Sequence, residues 1–137
     1  LGSGAGIPGL ILALGGNLRA DLYESNGKKV AFLREAIRQT KADARVHQIR
    51  LETLEAHLPE RIPDYVTARA LAPLDKLLAW AEPLLKRGAI GLFHKGQDVD
   101  SEINKATKFW KMGAIIRHAS MTDSDGTILE VKEITRV

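Results

Sequence analysis

Apolar residues along the chain follow two alternating patterns, short continuous runs and stripes with helical spacing. The short runs predict four strands, at Ala20–Tyr23, Arg45–Ile49, Asp64–Ala68 and Ala89–Phe93. Spacings of three and four residues predict helices between them, at Ile7–Leu14, Lys28–Thr40, Leu74 to about Lys86, and Val99–Trp110. Strands that alternate with helices predict an α/β domain with a mostly parallel sheet.

The C-terminal part of the chain departs from this alternation. Two apolar runs, Ala114–Ser120 and Thr127–Thr135, flank the sequence Asp123-Ser124-Asp125-Gly126, whose residue types favour a tight turn. They predict an antiparallel hairpin. A closing hairpin of this kind, on an otherwise parallel sheet, distinguishes the Rossmann-like fold of S-adenosylmethionine-dependent methyltransferases from a dehydrogenase fold.

The first ten residues are rich in glycine. Gly2, Gly4 and Gly6 alternate with other residues, and Ile7-Pro8 follows them. Glycine has no Cβ atom and tolerates a positive φ, so the backbone amides of such a turn can face a polar or anionic ligand. The turn predicts the junction of a first parallel strand and a helix. Nicotinamide-binding and S-adenosylmethionine-binding folds both use such turns.

Two acidic positions follow predicted strands. Glu24 lies about 20 residues after the glycines, the spacing at which a carboxylate meets the ribose hydroxyls of a nucleotide cofactor. A carboxylate there would repel a phosphorylated ribose, which disfavours NADP. Leu51 and Glu52 follow the predicted strand Arg45–Ile49, and ligands of doubly wound sheets lie outside the carboxyl ends of the strands. We therefore expect both residues beside the cofactor.

Composition narrows the possible chemistry. The chain has 137 residues, a net charge of +3 and no cysteine, which excludes disulfides, thiolate zinc sites and cysteine nucleophiles. Its positive net charge favours a polyanionic binding partner. The four histidines are too scattered to predict a metal site, and no apolar stretch is long enough to span a bilayer. We expect a cytoplasmic monomer without a metal.

Four motifs together carry a family resemblance. They are GSGAGIPG at 2–9, ESNGKKVAFLR at 24–34, TARALAPL at 67–74 and KG at 95–96. In this order they resemble the bacterial 16S ribosomal RNA guanine-N7 methyltransferases, also called glucose-inhibited division protein B, over essentially the whole chain. The resemblance implies methyl transfer from S-adenosylmethionine to N7 of one guanine in 16S ribosomal RNA, leaving S-adenosylhomocysteine.

The resemblance also implies roles for individual residues. Gly2 and Ile7 would line the methionine part of the cofactor within the turn that includes Gly4 and Gly6, Glu24 would hold the ribose, and Leu51 and Glu52 would border the adenine. Compared with the family, the chain starts at the end of the first strand. Residues 1–137 are therefore expected to form one methyltransferase domain from which the N-terminal helical region and most of the first strand are missing.

Four basic residues are candidates for catalysis or RNA binding. The resemblance implies that Arg69 lies near the methionine carboxylate and the incoming base, and we expect it to be catalytic. Its guanidinium could pair with that carboxylate or with guanine O6. Lys95 either binds an RNA phosphate or is a solvated strand end. Lys28 and Lys29 belong to a basic helix face that either contacts RNA or is simply solvated.

The chemistry of guanine N7 agrees with these residues. N7 already carries a lone pair in the base plane, so the attack requires alignment and no general base. Amino-group methyltransferases usually have Asn or Asp and two prolines at the place where this chain has Ala68-Arg69-Ala70, after the predicted strand Asp64–Ala68. Two alternatives remain open, an NAD-dependent oxidoreductase and a non-catalytic RNA-binding module.

Overall fold

The computed structural model describes residues 1–4, 6–119 and 126–137. The first three residues of the predicted turn Asp123-Ser124-Asp125-Gly126 lie outside the described residues. The chain divides into two compact units, Leu1–Leu54 and Glu55–Val137. Within the described ranges, no helix has the length and hydropathy required to cross a membrane.

The first unit pairs two parallel strands with two helices. Its elements are α1 (Gly9–Gly15), β1 (Ala20–Tyr23), α2 (Gly27–Thr40), β2 (Ala44–His47) and the start of a 3₁₀ helix (Leu51–His57). The strands run in register, with Ala20 opposite Ala44 and Tyr23 opposite His47. Leu10, Leu22 and Leu33 form the core between the helices and the sheet.

Helix α2 shows why the local sequence folds as it does. The Asn26 side chain accepts hydrogen bonds from the amides of Lys28 and Lys29, at 3.0 and 3.1 Å, and so satisfies two donors that a helix start leaves free. Val30 and Leu33 face inward and are fully buried. Asn26 is therefore the N-terminal cap of the helix that the sequence predicts over Lys28–Thr40.

The second unit is built on a four-stranded sheet. Its elements are β3 (Tyr65–Arg69), α3 (Leu74–Leu85), β4 (Ile90–Lys95), α4 (Val99–Ala106), β5 (Trp110–Ala119) and β6 (Thr127–Arg136). The strand order is β3-β4-β6-β5, in which β3 and β4 are parallel and β6 is antiparallel to both of its neighbours. The predicted α/β class and the C-terminal antiparallel hairpin are both confirmed.

Helix α3 packs against the sheet of the second unit. The helix buries six side chains, Leu74, Leu77, Leu78, Ala81, Leu84 and Leu85. Phe93 of β4 and Leu129 and Val131 of β6 are also fully buried. Alternate residues of β4 are buried, including Lys95, and the others are half-buried. The predicted end of this strand at Phe93 was wrong, because β4 continues to Lys95.

Helix α4 ends at Ala106 instead of the predicted Trp110, because Trp110 begins β5 and its indole donates a 3.2 Å hydrogen bond to the carbonyl of Asp75. Pro83 lies in the last turn of α3 and does not divide that helix. A 3₁₀ helix at Leu51–His57 follows the predicted strand Arg45–Ile49.

Candidate functional site

The glycine turn is tied to the end of β1. Gly2, Gly4 and Gly6 have φ values of 60°, 51° and 89°, in the region that favours glycine. The amide of Ser3 donates to the carbonyl of Tyr23 at 3.0 Å, and the amide of Gly6 donates to the carbonyl of Ser3 at 2.7 Å. These bonds hold the turn against the carboxyl end of the strand, where the fold class places ligands.

Glu24 joins this turn to the start of α2. One carboxylate oxygen accepts the amide of Gly4 at 2.9 Å, and the other accepts the amide of Asn26 at 2.8 Å. The Glu24 amide in turn donates to the carbonyl of His47 in β2 at 3.1 Å. The side chain is only 8% exposed. The structure therefore brings together the glycine turn and the acidic residue that the sequence analysis selected separately.

The geometry of Glu24 suits a ribose diol. A carboxylate oxygen can accept two hydrogen bonds, and each oxygen of Glu24 accepts one backbone amide, which leaves capacity for two hydroxyl donors. A Cβ atom on Gly4 would meet nothing closer than the carbonyl oxygen of Gly2 at 3.9 Å, so a ligand can approach the backbone there. The residues present therefore fit a nucleoside cofactor.

The structure corrects part of the expectation for the glycine amides. The amide of Gly4 donates to the Glu24 carboxylate, and the amide of Gly6 donates to the Ser3 carbonyl. Both amides therefore stabilise the turn and do not face a ligand. Gly6 is needed for packing, because a Cβ atom there would lie 2.7 Å from Cβ of Leu10. Ile7 is half exposed at the end of the turn.

Leu51 and Glu52 begin the 3₁₀ helix that follows β2. Leu51 is half-buried and Glu52 is exposed in the first turn of that helix. Both lie beyond the carboxyl end of their strand, as the sequence analysis expected. Their contact with an adenine ring stays a prediction.

The sequence analysis missed a pair of stacked rings, formed by the last residues of β1 and β2. The rings of Tyr23 and His47 stack with centroids 4.7 Å apart, and Nε2 of His47 lies 2.8 Å from Oδ1 of Asp21. Burial, followed by the charge of Asp21, raises the pKa of Tyr23. Strand alternation puts Asp21 and Tyr23 on one face, but only the register with β2 brings His47 beside them.

Lys28 and Lys29 lie next to the glycine turn. Both side chains are exposed, and with Gly4 and Phe32 they line a shallow surface depression. Phe32 is itself 56% exposed. Two cations and an exposed ring therefore surround the opening beside Gly4.

Arg69 belongs to the second unit. It ends β3, is exposed, and pairs with His94 in the sheet register. The next residue, Ala70, has a φ of 46°, which L residues with a side chain adopt at a cost in free energy. The chain therefore bends sharply just after Arg69.

The surroundings of Lys95 differ from those of a solvated strand end, which was one of its two sequence interpretations. Its side chain is 6% exposed, with Nζ 2.7 Å from Oε2 of Glu102 and 2.8 Å from the carbonyl oxygen of Ala72. It is therefore not a solvated strand end, and its charge is already paired within the unit. Its contact with an RNA phosphate stays a prediction, which the burial and pairing of its ammonium do not favour.

Metal ligation finds no support among the residues that the structure describes. No group of three or more His, Cys, Asp or Glu side chains lies close enough there to hold an ion.

This chain is similar in sequence to a family of known proteins. A family model described as rRNA small subunit methyltransferase G (GidB) matches residues 1–127. The ribosomal RNA small subunit methyltransferase G of Methylobacterium sp. strain 4-46 is 49% identical over 98% of this chain. The chain spans 65% of the length of that relative.

Two solved structures resemble the fold at low sequence identity. An rRNA methylase from Streptococcus thermophilus has a TM-score of 0.66 at 9% identity, covering 97% of this chain and 83% of the other. A mutant of MtNAS in complex with S-adenosylmethionine has a TM-score of 0.69 at 12% identity, covering 96% and 52%. These likenesses confirm the Rossmann-like methyltransferase fold. Together with the family match, they confirm the resemblance found in the four motifs: the chain belongs to the rRNA small subunit methyltransferase G family.

Proposed function

We propose that this protein transfers a methyl group from S-adenosylmethionine to N7 of a guanine in 16S ribosomal RNA. The observation that carries the proposal is the Glu24 carboxylate, held by the amides of Gly4 and Asn26 at the carboxyl end of β1. In a member of this family, that geometry supports a nucleoside-binding site. The cytoplasm is the predicted location of the reaction.

The first unit supplies the proposed cofactor-binding residues. Glu24 accepts hydrogen bonds from the ribose hydroxyls, the open backbone at Gly2 and Gly4 accommodates the methionine part, and Leu51 and Glu52 border the adenine. When bound, S-adenosylmethionine supplies an electrophilic methyl group attached to a sulfonium. The buried negative charge of Glu24 repels a ribose phosphate, so NADP does not fit.

Arg69 is the proposed catalytic residue. The guanine N7 lone pair forms the new bond to the methyl carbon as the carbon–sulfur bond breaks, so no base removes a proton. What the protein contributes is alignment, and the guanidinium can donate to guanine O6 while leaving N7 free. The exposed position of Arg69 at the end of β3 supports this role.

Lys28 and Lys29 are the proposed RNA contacts. Their exposed ammonium groups beside the glycine turn can neutralise backbone phosphates near the methyl donor. Small-subunit ribosomal RNA, or a particle containing it, is the proposed partner.

The test is methyl transfer to the proposed substrate. The purified protein is incubated with S-adenosylmethionine labelled on its methyl group and with 16S ribosomal RNA, naked or in small subunits, from cells that lack the enzyme. We expect label in one guanine as 7-methylguanine. Absence of label in both substrates would contradict the proposal. Calorimetry should show binding of S-adenosylhomocysteine and none of NAD; RNA binding without cofactor binding would instead favour a non-catalytic module.

A further inference from the structure

The second unit contains an ion pair, between a buried lysine and a half-buried glutamate, that the proposed reaction does not use. Nζ of Lys95, at the end of β4, lies 2.7 Å from Oε2 of Glu102 in α4. The same ammonium donates to the carbonyl oxygen of Ala72 at 2.8 Å. Oε2 of Glu102 also accepts the amide of Leu74, the first residue of α3, at 2.8 Å. Three elements and one loop are joined by these contacts.

These contacts all converge on the loop that follows Arg69. Residues 70–73 connect β3 to α3, and the pair binds the loop at Ala72 and the helix just after it. At the other end, Arg69 lies opposite His94 in the parallel ladder, next to Lys95 in sequence. Both ends of the loop are therefore anchored to β4 or α4.

The conformation inside the loop is unfavourable by itself. Ala70 has a φ of 46°, and a residue with a Cβ atom keeps this conformation only where surrounding contacts enforce it. The pair at Ala72 and Leu74 supplies contacts of this kind. An apolar pair of similar volume would usually be as stable as a buried ion pair, but it could not bond to a carbonyl and an amide.

We propose that Lys95 and Glu102 are positioning residues that clamp the loop 70–73 and thereby hold Arg69 in the orientation that methyl transfer requires. The inference rests on the proposed function, in which Arg69 meets the cofactor or the base. Alignment of an attacking nitrogen is sensitive to displacements of about 1 Å, so a loosened loop lowers turnover without removing the guanidinium.

The test separates positioning from stability. Lys95→Met leaves Glu102 unpaired and should lower stability, whereas the double variant Lys95→Met with Glu102→Leu removes both charges and should recover most of it. If the pair positions the loop, the double variant still has a kcat for methyl transfer lowered about tenfold or more, since Ala72 and Leu74 have lost their partners. Its affinity for S-adenosylhomocysteine should change much less than kcat.

A matched control is available between α3 and α4, the two helices that Glu102 joins. Nζ of Lys105, in α4, lies 3.5 Å from Oδ2 of Asp75, in α3. This ion pair does not include a residue of the loop 70–73. Lys105→Met removes a lysine from an ion pair between the same helices, and we expect it to leave kcat unchanged. Equal losses in the control and in the double variant would overturn the proposal.

A second measurement does not depend on activity. Hydrogen exchange of the amides in residues 69–74 should be faster in the double variant than in the unsubstituted protein, with the rest of α3 unchanged. An unchanged exchange rate, or a kcat restored together with stability, would overturn the clamp. If the unsubstituted protein transfers no methyl group at all, the proposed function fails, and the exchange rates alone decide whether the clamp exists.

Discussion

At the scale of single residues, Glu24 has the most constrained surroundings of the proposed cofactor site. Both carboxylate oxygens accept backbone amides, one from the glycine turn and one from the cap of α2, and the side chain is almost entirely buried. A group held in this way is ordered before a ligand arrives, which lowers the entropic cost of binding. Substitutions here test the site directly.

We expect Glu24→Gln to weaken binding of S-adenosylhomocysteine by roughly tenfold to a hundredfold, the equivalent of one charged hydrogen bond. The amide would also direct its NH₂ group at the backbone donor of either Gly4 or Asn26. Isothermal calorimetry measures the loss. Glu35→Gln, on the exposed face of α2, is the matched control and should bind as the unsubstituted protein does.

Arg69→Ala should lower kcat/KM for 16S ribosomal RNA by about a hundredfold or more, because one positioned cationic donor contributes that much to a transition state. Stability should change by less than about 0.5 kcal/mol, since the side chain is exposed. Arg87→Ala, another exposed arginine of this unit, provides the comparison. Equal transfer by the two variants would remove Arg69 from the mechanism.

The glycines of the turn should respond differently to substitution. Gly6→Ala places a Cβ atom 2.7 Å from Cβ of Leu10 and forces a φ of 89° on alanine, so we expect a loss of about 2–4 kcal/mol of stability. Gly4→Ala meets no close atom and should cost about 1 kcal/mol. Its larger effect should be weaker cofactor binding. Urea denaturation and calorimetry on both variants check this contrast.

At the scale of elements, α3 and the end of β6 are joined by a charged contact. Nη2 of Arg136 lies 2.6 Å from Oε2 of Glu82, while the guanidinium carbon lies 5.0 Å from the centroid of the Trp110 ring. Lys86, the residue that follows α3, adds a second cation, with its Nζ 2.7 Å from Oε1 of Glu82. The hydrogen bond from Arg136 is the main cause of the lowered pKa of Glu82.

This contact predicts a pH dependence of stability. A carboxyl whose pKa is lower in the folded state stabilises the fold above its usual pKa, and the stabilisation is lost as the pH falls through the lowered value. The difference in unfolding free energy between pH 7 and pH 3 should therefore shrink in Glu82→Gln. Glu60→Gln, at an exposed position of the same unit, should keep the original difference. Denaturant titrations at both pH values decide between these outcomes.

At the scale of the whole molecule, the family match extends over both compact units, and the net charge of the chain is +3. A positive protein that binds RNA releases counterions, so its affinity falls as salt rises. Lys28 and Lys29, which are exposed beside the proposed cofactor site, should account for part of this dependence of affinity on salt.

We expect Lys28→Gln combined with Lys29→Gln to reduce the slope of log affinity against log salt by about 1–2, since each lost phosphate contact removes about 0.7–0.9. Fluorescence anisotropy with a 16S ribosomal RNA fragment over a salt series measures the slope. Affinity for S-adenosylhomocysteine should be unaffected. A slope equal to that of the unsubstituted protein would show that these lysines do not contact the RNA.

Much of the fold could be predicted from local patterns. The bounds of β1 agree with the prediction, and α2 begins one residue earlier than predicted, at Gly27, directly after its asparagine cap. The boundary between α4 and β5 could not be found in this way, because Trp110 fits either a helix or a strand until its indole meets the carbonyl of Asp75 in α3. Hydrophobic spacing does not record such long-range partners.

The sequence by itself determined the α/β class, the glycine turn, the position of Glu24 and the family, since these depend on short spacings and on residue types that few other patterns share. Only the tertiary structure decided that Lys95 is buried against Glu102 and that His47 stacks on Tyr23. The physical reason is that a charge or a ring acquires its environment from residues distant in sequence. Burial and strand register, which the order of residues does not state, select those partners.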